Sequence, residues 1–162
     1  HFRGALETIA SSQLAIEEIC LDADIVIGAV LVVGARAPQL VSDALVAKMK
    51  TGSVLVDISV DQGGCFESTR PTTHSHPTFE VHGSIFYCVA NMPGAVPHTS
   101  THALANATLP YMLSIAAYGW KGAVAADPAL AEGVNVADGR VVYKPVADAH
   151  GLAWTPLADV AA

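Results

Sequence analysis

Apolar residues follow two different periods along this chain. Over residues 24–33, and again at Val54, Leu55, Val56 and Ile58, they run almost without a break. Strands with one wet face alternate, so runs this uniform predict strands covered on both faces, as in a parallel sheet flanked by helices. Ahead of each run the period becomes helical. After a cap at Ser11 or Ser12, Leu14, Ile16, Ile19 and Cys20 mark a buried side, with Glu17 and Glu18 facing water and an end near Asp22. Ser42 predicts a second cap, with Val41, Leu45 and Met49 on one face, Lys48 and Lys50 in the last turn and Gly52 as the stop. Helix, strand, helix, strand in this order predicts a right-handed α/β crossover sheet.

Beyond Asp61 the pattern changes. Residues 68–77 are rich in Pro, Thr and His, which predicts a loop, and 78–82 and 85–90 predict a tight hairpin turning at Gly83-Ser84. Thr99, Ser100 and Thr101 offer caps for a long helix over 102–118, with Leu104, Thr108, Tyr111, Met112 and Ile115 near one face, a kink at Pro110 and an end at Gly119. A short helix at 128–133, a strand pair (134–136 and 140–143) around Asp138-Gly139 and a loosely held tail after His150 complete the prediction.

Composition narrows the classes. With 162 residues, 52% of them hydrophobic, the chain has material for a real core, and a net charge of −7 without a basic run argues against nucleic acid and anionic membrane surfaces. The longest apolar run falls short of the roughly 20 residues a spanning helix needs. A soluble, cytoplasmic protein is expected. Cys20, Cys65 and Cys88 form no Cys-x-x-Cys pair and fit reduced thiols. The opening at His1, within an element, suggests a fragment.

Candidate chemistry gathers at three loops that follow strands: the one after residue 33, the Asp61-Gln62-Gly63-Gly64 run, and Asn91-Met92-Pro93-Gly94. In parallel sheets ligands sit beyond the carboxyl ends of strands, so Asp61 is a candidate working group, with the two glycines letting a ligand approach the backbone. Spacing alone fits equally well a pair of turn-capping residues, Asp61 and Gln62. Cys65 offers a nucleophile or, more in keeping with its type, a small apolar filler. His74 and His76 lie two apart on the proline-flanked loop but lack a third ligand at motif spacing, and His82, His98 and His102 sit at turn and cap positions. No metal site is predicted.

The runs 23–32, 54–67, 70–79 and 87–97, above all Asp61-Gln-Gly-Gly-Cys-Phe-Glu67 and Asn91-Met-Pro93, resemble the bacterial alanine dehydrogenases. The resemblance covers nearly the whole chain, weakens after Trp120 and is poor in the first ten residues and over 153–162. It implies an α/β fold: residues 1–97 as the C-terminal part of a dinucleotide-binding domain with a partial doubly wound, Rossmann-like parallel sheet, and 98–162 as a long helix and return segment of a substrate domain. It implies nicotinamide adenine dinucleotide (NAD) as cofactor, with Ser11 at the adenosine half, Val30 and Leu31 lining the crevice, and Ile58, Ser59, Val60, Asp61, Val89, Ala90, Asn91 and Met92 along the nicotinamide. Asp61 matches the family's catalytic aspartate, and Asn91 would also meet the substrate.

The implied reaction is reversible oxidative deamination of L-alanine to pyruvate and ammonia in a homo-oligomer. The family's glycine-rich loop lies upstream of the Ser11 position, and no G-x-G-x-x-G occurs here. The family's catalytic histidine and the lysine and arginine for the substrate carboxylate also lie upstream. Val33 and Arg36 stand where the family has proline and lysine. Two alternatives are a transhydrogenase-type dinucleotide-binding module and an inactive truncated piece.

Overall fold

The structure, a computed structural model, describes residues 4–33 and 36–161. Two compact units divide the chain, His1–Val32 with Arg36–Met92 and Val33–Ala35 with Pro93–Ala162. The turn predicted at Gly34 lies outside the described residues.

In the first unit, helix α1 (Gln13–Asp22) begins where Ser12 Oγ accepts the Ala15 N–H at 3.2 Å. It leads into β1 (Ile25–Gly28). Helix α2 (Asp43–Val46) is capped by Ser42 as predicted, but regular helix stops after four residues, and Lys48 and Met49 continue it only through i→i−3 bonds. Strand β2 (Val54–Asp57) follows, then the hairpin of β3 (Thr78–Val81) and β4 (Ser84–Tyr87). Its turn is His82-Gly83, with φ of 51° and 81°, one residue earlier than predicted. The sheet order is β1-β2-β4-β3; the first three strands are parallel and β3 is antiparallel to β4. The α/β class with a mostly parallel sheet is therefore as expected.

The core lies on one face of that sheet. Leu55 and Phe86 pack with Cys20, Leu45, Val46, Met49, Phe66 and Cys88, and Phe66 meets Phe86 edge-on at 5.8 Å. The opposite face departs from the prediction of two covered faces: Ile25 and Ile27 are 62% and 61% exposed, and Ile85, in register with Val54, is exposed too. On α1, Cys20 is buried with Ile16 and Leu21 beside the core, whereas Leu14 and Ile19 point to solvent. The apolar run overstated burial because hydrophobicity reports what can be covered, whichever chain segment covers it.

The second unit opens with α3 (Pro97–Ala126). Its N-cap is Val96 with Pro97 in the first turn, so none of Thr99, Ser100 and Thr101 is the cap; proline at that position suits a helix start because its missing N–H has no partner to lose. Pro110 keeps helical dihedrals, so the kink predicted there is not seen, while Gly119, the predicted end, has non-helical φ 69° and ψ 165°, after which the helix resumes. Leu104, Tyr111, Met112 and Ile115, predicted near one face, are exposed. Helix α4 (Pro128–Glu132) is capped by Asp127, and β5 (Val136–Ala137) pairs with β6 (Arg140–Val141) around Asp138-Gly139. After α5 (Lys144–His150) the tail is held: the Thr155 N–H donates to Val141 O at 2.9 Å, Trp154 Nε1 donates to Val142 O at 3.0 Å, and α6 (Ala158–Ala161) buries Val160.

Candidate active site

Because β1, β2 and β4 are parallel, their carboxyl ends share one edge, and the segments leaving Gly28, Asp57 and Tyr87 are brought together there. The segments are joined by hydrogen bonds. Ala37 N–H donates to Gln62 O at 2.7 Å and Leu40 N–H to Cys65 O at 2.8 Å, fastening the loop after β1 to the loop after β2. The Ser59 hydroxyl donates to Val30 O at 2.8 Å. On the other side, Thr72 N–H donates to Cys88 O at 2.9 Å, and a His74 ring nitrogen lies 2.7 Å from Asn91 O. Since a carbonyl only accepts, Nε2 is the donor.

Asp61 occupies the 3₁₀ turn Val60–Gln62 and is exposed, with Gln62 Nε2 donating to its Oδ2 at 3.2 Å. Leu31 and Ile58 are exposed at the same edge, as are Ala90 and Asn91, with Met92 half-buried. Ser59, Val60 and Val89 are buried, so their side chains form the floor of this edge. Ser11 is exposed just before the cap of α1, beside Gln13, which lines a hollow of about 260 Å³ with Gln39, Ser42 and Glu67. The two glycines after Asp61 differ in role. Gly63 faces the Arg36 stem at van der Waals distance, while a Cβ on Gly64 would collide with Thr69 and approach Asp57 Oδ2 to 2.8 Å. Gly64 thus permits close packing of the loop on itself rather than approach of a ligand.

Cys65 is 2% exposed and packs where a Gly28 Cβ would be, in keeping with a small apolar filler. Burial pushes the Cys20 and Cys88 thiols up, and for Cys88 the Asp57 carboxylate adds to this while the Thr69 hydroxyl opposes it. Among the described residues no group of three or more His, Cys, Asp or Glu could hold a metal, and no helix is long and apolar enough to cross a membrane.

What the sequence reading passed over is Asp57. It is fully buried; its Oδ1 accepts the Ser59 N–H at 3.0 Å, and its Oδ2 accepts the Cys65 N–H at 2.9 Å and the Thr69 O–H at 2.6 Å. The signal was present, since a carboxylate closing an apolar strand must find donors in the chain that follows.

The family described as "Alanine dehydrogenase/PNT, C-terminal domain" matches residues 1–144. An alanine dehydrogenase of Mycolicibacterium smegmatis is 58% identical over 158 residues, which is 98% of this chain and 43% of that protein. One from Mycobacterium tuberculosis is 55% identical over 161 residues, again 43% of its length. Among solved structures, an L-alanine dehydrogenase superposes with a TM-score of 0.77 at 50% identity, covering 93% of this chain and 41% of the other. A transhydrogenase from Sinorhizobium meliloti gives 0.50 at 30% identity over 56% of this chain. This chain therefore spans less than half the length of the relatives it matches. With a matching family profile over most of its length and relatives more than half identical, the chain belongs to the alanine dehydrogenase/PNT C-terminal domain family.

Proposed function

We propose that this chain carries part of the active site of an NAD-dependent alanine dehydrogenase, which interconverts L-alanine with pyruvate and ammonia. The observation that carries the reading is the exposed Asp61 carboxylate at the shared carboxyl edge of three parallel strands, flanked by exposed Leu31 and Ile58. Residues 1–97 are read as the C-terminal part of a dinucleotide-binding domain and 98–162 as the return segment of a substrate domain; the division of the chain near residue 93 supports this.

The residues present suit a dinucleotide. Exposed apolar Leu31 and Ile58 offer surface to a flat ring, while Asp61 and Asn91 add polar groups at its rim. Val30 and Leu31, 58–61 and 89–92 would hold NAD, with Ser11 toward the adenosine half and Asn91 also toward the substrate. When bound, the nicotinamide takes up and returns the hydride of the substrate Cα. Asp61 handles protons: as water adds to the substrate iminium, its carboxylate takes a proton from the water, returns it to the carbinolamine nitrogen, and takes up the hydroxyl proton as ammonia leaves and the ketone forms. Buried Ser59 and Val60 fix the turn from below, so that this carboxylate is oriented before substrate arrives.

The transhydrogenase-type reading is less favoured, because that likeness covers 56% of the chain against 93% for the alanine dehydrogenase. Three buried free thiols support a reducing, cytoplasmic setting, and the exposed apolar residues of α3 support a homo-oligomer. The test is Asp61→Asn in the full-length protein. Asparagine keeps size and turn-capping ability but not the ionisable group, so turnover of L-alanine should fall by about 100-fold or more with cofactor affinity little changed. Near-normal turnover, with an unaltered melting temperature, would return Asp61 to a turn cap.

A further inference from the structure

We infer that Asp57 is a positioning residue for the Asp61 turn, an assignment that rests on the reading of Asp61 given above. The chain from Ile58 to Thr69 makes a closed excursion, and the Asp57 carboxylate sits at its centre. It collects donors from the start of the excursion (Ser59 N–H, 3.0 Å), from its return (Cys65 N–H, 2.9 Å) and from its end (Thr69 O–H, 2.6 Å). Both oxygens are engaged, and no Lys, Arg or His pairs with this fully buried group among the described residues. A buried carboxylate in that situation is compensated entirely by donors that the loop provides, so losing the loop geometry exposes an uncompensated group and the loop is held tightly.

Two further contacts make the arrangement specific. Gly64 leaves no room for a Cβ between Thr69 and Asp57, and the Ser59 hydroxyl continues the chain of bonds to Val30 O at 2.8 Å. The 3₁₀ turn Val60–Gln62 is suspended between the two backbone N–H groups that Asp57 holds. Asp57, at 0% exposure, meets no substrate, and its effect on chemistry runs through where it sets Asp61.

The test uses the full-length protein carrying Asp57→Asn, Thr69→Val and Thr69→Ser. An amide has a single acceptor oxygen, so in Asp57→Asn its NH₂ must face either the Ser59 N–H or the Cys65 N–H. Thr69→Val removes only the hydroxyl donor and keeps the shape, which guards against a variant that fails to fold. Hydrogen exchange at the Ser59 and Cys65 amides should accelerate about tenfold or more in both, while amides of Leu55 and Phe86 change by less than about threefold.

Turnover should fall about tenfold in Thr69→Val and recover in Thr69→Ser. Combined with Asp61→Asn, Thr69→Val should cost less than about twofold more, because the two act through one group. Unchanged loop exchange, equal acceleration in the strands, or turnover losses that multiply would overturn the assignment. If Asp61→Asn alone were fully active, the catalytic role proposed for Asp61 would fail by itself, and the exchange at Ser59 and Cys65 would still decide whether Asp57 holds the turn.

Discussion

At Gly64, φ is 78°, and a Cβ would collide with Thr69 and press on Asp57, so replacement combines backbone strain with a steric clash. Gly64→Ala should destabilise the protein by about 2 kcal/mol or more. Gly63→Ala, whose Cβ meets only the Arg36 stem, carries the backbone term alone. Urea unfolding of the two variants checks the order, and equal midpoints would contradict it. Cys88 gives a second residue-scale expectation. Its folded thiol is raised above 9.0 by burial, so the unfolded chain loses its proton first as pH rises. The stability linked to this thiol is complete below the unfolded value and declines as pH climbs through the folded one. Cys88→Ala should flatten that alkaline decline in melting temperature, although it lowers the melting temperature at neutral pH by leaving a cavity.

Element by element, what was legible depended on whether local chemistry or distant packing decided the outcome. Ser12 and Ser42 were readable as caps because a side-chain oxygen three residues ahead of an orphan N–H is a local event. The hairpin was readable for the same reason. On α3 local signals competed: three hydroxyl residues suggested caps, yet Pro97 starts the helix, and Pro110 sits inside without a break while Gly119 takes the non-helical dihedrals. Its φ of 69° with ψ of 165° is a glycine-only region, so Gly119→Ala should straighten or destabilise this helix at a cost of about 1–3 kcal/mol. Circular dichroism through thermal melting gives the measurement; a variant as stable as the parent would contradict the dihedral argument. The tail after His150 was misread as loose because its anchors, Trp154 on Val142 and Thr155 on Val141, pair residues distant in sequence.

At the scale of the whole molecule, the parallel order of β1, β2 and β4 turns three separate loops into one edge, and the uniform apolar runs foretold the parallel sheet. They did not foretell which face would be covered. Ile25, Ile27, Ile58 and Ile85 remain exposed together with much of α3, so the 162-residue chain expressed alone should associate and bind an apolar dye. Light scattering that reports a monomer at high concentration would contradict this. Asp61 was a candidate by position, as a carboxylate just past a strand end, and by the family resemblance, whereas the burial of Asp57 was hidden because its donors lie two, eight and twelve residues away.

A crystal structure of the full-length protein with reduced cofactor and pyruvate tests the central claim most directly. The nicotinamide ring is expected at the common edge of β1, β2 and β4, against Ile58 and Asn91, with the Asp61 carboxylate within about 3 Å of the pyruvate carbonyl carbon's substituents or one water away. A dinucleotide seated elsewhere, or Asp61 turned to solvent and away from the substrate, would contradict it.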